Sequence, residues 1–218
     1  ANTIKESDLV RSNNDKLANT GDGVVTEVYL DTDKDLITIV SINTWLAQAT
    51  ADYSESKEYA PLKVFTGVDQ TASYNVDVED VANVVDVTNE TFYQVTISYK
   101  DSTRGEVVTV APAEVLEDST VTKYSASDRG DGTGTVTKLS VGGTEYKRNV
   151  MAFYDEDILD QYDENLLTDS TYNVYLDSNG YFIGVSLYDG VKNYVFITGY
   201  DRPTSNLSVK TALSLIHI

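Results

Sequence analysis

The chain has no cysteine and one histidine, His217, in 218 residues. Absence of cysteine excludes a disulfide framework and any thiolate nucleophile or metal ligand. The near-absence of histidine removes the usual general base and the commonest transition-metal ligand. No Ser-His-Asp set, zinc-ligand spacing, phosphate loop or dinucleotide fingerprint occurs, so the chain is expected not to be an enzyme. Basic residues are scarce as well. Sixteen Lys and Arg stand against 35 Asp and Glu, a formal net charge of −19. Phosphate contacts need clustered cations, so nucleic acid is not an expected partner, and anionic lipid is disfavoured for the same reason. No apolar run approaches the roughly 20 residues that span a bilayer, so membrane insertion is not expected.

What is abundant points to sheet. Valine occurs 27 times, threonine 25 and tyrosine 16, the residue types that fit a pleated, half-buried surface. Period-two alternation recurs along the chain, as one-face-buried strands require. Tyr93, Val95, Ile97 and Tyr99 alternate with polar residues, and a turn at Asp101–Gly105 leads into Glu106–Val110 as a hairpin. Tyr181, Ile183, Val185 and Leu187 alternate with Phe182, Gly184 and Ser186. Further strands are predicted at 24–30, 36–42, 121–126, 135–141, 171–176 and 194–198. Helical spacing is confined to two places. Ile158, Leu159, Tyr162 and Leu166 share a face in 155–167, the one principal helix predicted, with Asp155, Glu156 and Asp157 at its positive end. Val78, Val81, Ala82 and Val85 suggest a shorter one after an Asp77 cap.

Val28-Tyr29-Leu30-Asp31 recurs 146 residues later as Val174-Tyr175-Leu176-Asp177, each copy followed by a polar turn and an alternating strand. The echo predicts two related hairpins from two related modules. The expected fold is therefore mainly β: two related small β-modules, barrel- or sandwich-like and with an OB-like order of strands in the second. The expected division is 1–111 for a module cut at its start, 112–200 for a module carrying the helix, and 201–218 for a linker or the start of a next module. The terminal hexapeptide Leu213–Ile218 resembles one reading frame of a sequencing adaptor and reads as a non-native tail. With no initial methionine or signal peptide at the other end, the expectation is an internal piece of a longer protein.

Four features are candidates for chemistry. Asp31, Asp33 and Asp35 alternate as carboxylates do in calcium loops, but Leu36 and Ile42 stand where an EF-hand needs its glycine and its bidentate glutamate. Weak calcium binding is the most this loop is expected to do, its other reading being a solvated hairpin turn; no other cofactor is expected. Arg129-Gly130-Asp131 is an adhesion-type tripeptide in a turn-forming stretch. The carboxylates of Asp155, Glu156, Asp157, Asp160, Asp163 and Glu164 are numerous enough for glycoside chemistry, but an exposed helix is the wrong setting for a raised pKa. Trp45 and the tyrosines could stack on sugars or fill sheet faces.

Several long segments resemble bacterial S-layer homology domain-containing proteins. They are Ser41–Ala47, Tyr74–Ala82, Gly143–Lys147 and the stretch from Tyr172–Asp177 to Tyr194–Val209. The resemblance implies a secreted protein of the bacterial cell surface, of which this is a structural segment without the anchoring repeats. Its implied partners are cell-wall polymer or neighbouring copies of the same surface protein. An adhesin or carbohydrate-binding module, or a non-catalytic part of a large surface hydrolase, are the alternatives.

Overall fold

The computed structural model describes residues 21–98, 105–127, 135–155, 158–159 and 167–188, together with the backbone of 195–200 and 212–216. The fold is mainly β, with curled, half-barrel and sandwich-like sheets. Val25–Asp31 (β1) and Leu36–Ile42 (β2) pair antiparallel as a two-stranded ribbon. Trp45–Ala49 (β3), Tyr59–Gly67 (β4), Gln70–Asp77 (β5), Phe92–Ser98 (β6) and Glu106–Pro112 (β7) form a sheet of order β5-β4-β3-β6-β7. After Ala113 the chain enters a second sheet. Its strands are Glu114–Ser127 (β8), Thr135–Val141 (β9), Thr144–Lys147 (β10), Thr171–Leu176 (β11) and Phe182–Leu187 (β12), in the order β10-β9-β8-β11-β12. Asp189–Ile218 is a separate unit, in which Val195–Tyr200 (β13) and Ala212–Ile216 (β14) pair antiparallel. Leu213–Ile216 of the expected tail thus lie in β14; His217 and Ile218 are outside the described residues.

The two large sheets follow one plan. A three-strand meander is followed by a connection carrying a 3₁₀ turn (Ala82–Asp86 in the first, Leu167–Asp169 in the second), and a hairpin then returns to the free edge of the meander's first strand. Equivalent hairpin strands also correspond in sequence. Tyr93, Val95 and Ile97 of β6 are matched 79 residues later by Tyr172, Val174 and Leu176 of β11, and all six are buried. These inward residues meet the apolar faces of the meanders: Ala47, Leu62, Val64 and Val76 in the first core, Val121, Val136, Leu139 and Val141 in the second.

The second sheet curls far enough for its outer elements to meet. Arg148, just past β10, bridges in parallel to Phe182 of β12, and Tyr154 bridges in parallel to Gly184. In the first sheet the 3₁₀ turn packs into the corresponding opening, where the Asn83 side chain donates to the Val110 carbonyl of β7.

Three expectations need revision. The segment expected as a helix around Val78–Val85 is a five-residue 3₁₀ turn beginning at Ala82. The Asp77 carboxylate accepts from the Glu79 amide, so it closes a turn ahead of the helix and does not cap it. Val81, Val84 and Val87 are buried while Val85 is exposed, because a 3₁₀ turn repeats every three residues. The simple alternation in β12 also fails. Leu176 pairs with Phe182 and Tyr175 with Gly184, leaving Ile183 as the extra residue of a β-bulge. Phe182 and Val185 therefore both enter the second core, and Ile183 joins a different cluster. Finally, the two Val-Tyr-Leu-Asp segments are both strands of antiparallel hairpins, yet their surroundings differ. Val174, Tyr175 and Leu176 are buried, whereas Val28 is 64% and Leu30 67% exposed on the two-stranded ribbon. The helix expected at 155–167 lies largely outside the described residues.

The β11–β12 turn supplies a first prediction. Its αL position is filled by Gly180 at φ 79°, and nothing lies within 4 Å of where a Cβ would stand. Gly180→Ala should therefore cost backbone strain alone, about 1–2 kcal/mol, read as a lower urea midpoint with an unchanged slope.

Candidate functional site

The Asp31–Asp35 loop is the turn of the β1–β2 ribbon. Asp31 Oδ1 accepts from the amides of Asp33 (3.1 Å) and Lys34 (3.2 Å), and its Oδ2 lies 3.1 Å from Lys34 Nζ. This is an Asx turn, the local bond by which aspartate reverses a chain. Asp35 completes it with φ at 50°. The same device closes the β11–β12 turn, where Asp177 Oδ1 accepts from the Asn179 and Tyr181 amides at 2.8 and 2.9 Å. The first carboxylate of the candidate calcium loop is thus engaged in holding the turn. Among the described residues, no three His, Cys, Asp or Glu side chains are grouped so as to hold a metal ion.

Calcium titration should accordingly give a broad, salt-sensitive stabilisation. Magnesium should do nearly as well, because the excess of carboxylates is relieved by any divalent cation. A saturable calcium transition abolished by Asp33→Ala would show a specific site in the loop.

The remaining candidates divide between buried and undescribed positions. Trp45 is 4% exposed and sits in the first core, so it is not available as a sugar platform. Arg129-Gly130-Asp131 lies outside the described residues, as do Glu156, Asp157, Asp160, Asp163 and Glu164 of the acidic run. Asp155 is described, and its carboxylate pairs with Arg148 at 3.3 Å. Among the described residues, three titrations depart from ordinary values. Burial pushes the Tyr172 phenol up, the hydrogen bond to Glu27 raises Tyr29, and the hydrogen bond from Lys138 lowers Glu145. All three are local consequences of packing and pairing, and none belongs to a group of convergent acids and bases.

The most elaborate constellation is the joint between the two large sheets. Leu46, Phe65, Tyr175 and Ile183 are buried there, with Phe92, Ala113, Val115, Phe153 and Tyr154 packed around them. Strand alternation explains how one strand serves two clusters: Trp45 and Ala47 of β3 face the first core, while Leu46 between them faces the joint. Phe65, Phe92, Tyr154 and Tyr175 form a ring cluster with centroid separations of 4.3–6.0 Å, within the range where aromatic pairs attract. A polar link lies alongside. Gln94 Oε1 accepts from the amide and hydroxyl of Ser178, at 3.0 and 2.8 Å.

Beside the joint, Asn149 is fully buried. Its Nδ2 donates to Asp177 Oδ2 at 2.7 Å, its Oδ1 accepts from the Met151 amide at 2.8 Å, and its own amide donates to the Phe182 carbonyl at 2.9 Å. Of these residues the sequence singles out Tyr175 and Asp177, in the repeated tetrapeptide, and Ile183, in an alternating strand, but not their grouping, which depends on which sheet faces they occupy. The apolar run Val150–Phe153 after a lone asparagine was the only local signal. No protein-family model matches the chain, and no curated protein matches it.

Proposed function

We propose that the chain is a structural segment of a secreted bacterial cell-surface protein of the S-layer type, acting as a stiff spacer between other parts of that protein. The observation that carries this reading is the joint. Two small β-modules are connected by one residue, Ala113, and share a buried aromatic cluster, so their connection has little freedom to bend. A catalytic or ligand-binding module would be expected to place convergent polar groups in a cleft, whereas the polar groups gathered here bind one another, Gln94 and Ser178 doing so across the joint. Strong net negative charge is consistent with an exposed, hydrated surface. The sequence resemblance supplies the cell-surface assignment and the implied partners, cell-wall polymer or neighbouring copies.

Antibody raised against the chain should label intact source cells. Labelling that requires permeabilisation would overturn the surface assignment. A glycan array should give no saturable binding, and a single strongly retained glycan would favour the adhesin or carbohydrate-binding alternative.

A further inference from the structure

We propose that Asn149–Phe153 is a strap that makes the two large sheets one cooperative unit, so that neither core unfolds without the other. The strap's ends are held to the second sheet. Arg148 bridges to Phe182 and Tyr154 bridges to Gly184, so residues two apart on β12 meet residues six apart on the other segment. The five residues between those contacts must therefore arch away from β12. They arch into the first sheet: Met151 is 3% exposed and belongs to the first core, with Phe153 packed against the same core.

The arch has its own fastenings. Arg148 donates to the Ala152 carbonyl at 2.7 Å and pairs with Asp155, bracing its base. Asn149 fixes the departure angle, because one side chain holds both Asp177 of the β11–β12 turn and the Met151 amide. On its other side the Val150 amide donates to the Asp22 carbonyl at 3.0 Å, which ties the lead into β1 to the same strap. A buried amide left without its acceptor is costly in a dry interior, so these bonds resist piecemeal opening. Unfolding the second sheet withdraws Met151 and opens the first core, while unfolding the first exposes Met151, Leu46 and the ring cluster together.

Trp45 is the chain's one tryptophan and lies in the first core, so its fluorescence reports that core alone, while far-UV circular dichroism reports both sheets. In the full chain, urea transitions by the two probes should coincide. Val136→Ala, a truncation in the second core, should lower the Trp45 midpoint as much as the dichroism midpoint, by about 1 M. In an Asn149→Ala background the same truncation should move the Trp45 midpoint by clearly less than it moves the dichroism midpoint. A Trp45 midpoint insensitive to Val136→Ala while the native strap is present would overturn the proposal, and that measurement decides the matter even if Asn149→Ala fails to fold.

Discussion

Phe182→Ala should destabilise the protein by about 3–5 kcal/mol, the range for truncating a fully buried aromatic ring. Phe182 is 0% exposed and belongs to the second core, beside Leu176 across the hairpin and bridged to Arg148 where the curled sheet's outer elements meet. Its position at a β-bulge matters to the magnitude. The neighbouring Ile183 faces the joint, so relaxing β12 to fill the cavity would pull on a second packed cluster. Partial relaxation leaves the cavity term in place, which puts the expected loss above that of a simple transfer of the ring to water. The Phe182 carbonyl accepts from the Asn149 amide, a backbone bond that the substitution leaves possible. The check is urea unfolding followed by circular dichroism. A loss below about 1 kcal/mol would mean that the second sheet does not enclose this ring. Against a typical total of roughly 5–15 kcal/mol, the expected loss takes a large share of the stability.

Strands were legible where one face is apolar and the other polar. Leu36–Ile42, Thr135–Val141 and Thr171–Leu176 are read from alternation with the same bounds that the backbone adopts. β4 and β5 were not legible, for two physical reasons. In β4 the inward Ala60 is small and Pro61 reads as a breaker, although it is tolerated where its nitrogen owes no ladder bond. In β5 only Tyr74 and Val76 are buried, too few to set a period. The repeat was legible at the wrong separation. Val-Tyr-Leu-Asp is a contiguous identity 146 residues apart, whereas the topological equivalence of β6 and β11 lies in alternate inward positions 79 apart, with Tyr and Val kept and Ile97 replaced by Leu176. That is what a packed face demands, since volume and apolarity matter there more than identity.

The joint was not legible because it is a relation between faces, and it gives the second large effect. Leu46→Ala should cost about 2–5 kcal/mol, since Leu46 is 0% exposed between the two sheets. Gly184→Ala should cost about 1–3 kcal/mol from the opposite cause. A Cβ at Gly184 would stand 2.5 Å from the Leu46 Cδ2 and 3.2 Å from the Tyr154 carbonyl oxygen, with Tyr154 Cδ1 at 3.3 Å. The leucine contact is the severe one, and Leu46→Ala removes it. The double variant should therefore lose less than the sum of the two single losses, by about 1 kcal/mol or more, as expected for residues in direct contact. Cancellation should be incomplete, because the contacts to Tyr154 persist and one methyl does not refill the space of a leucine. Strictly additive losses would mean that β3 and β12 do not meet at these residues, and the stiff connection between the two modules would lose its structural basis.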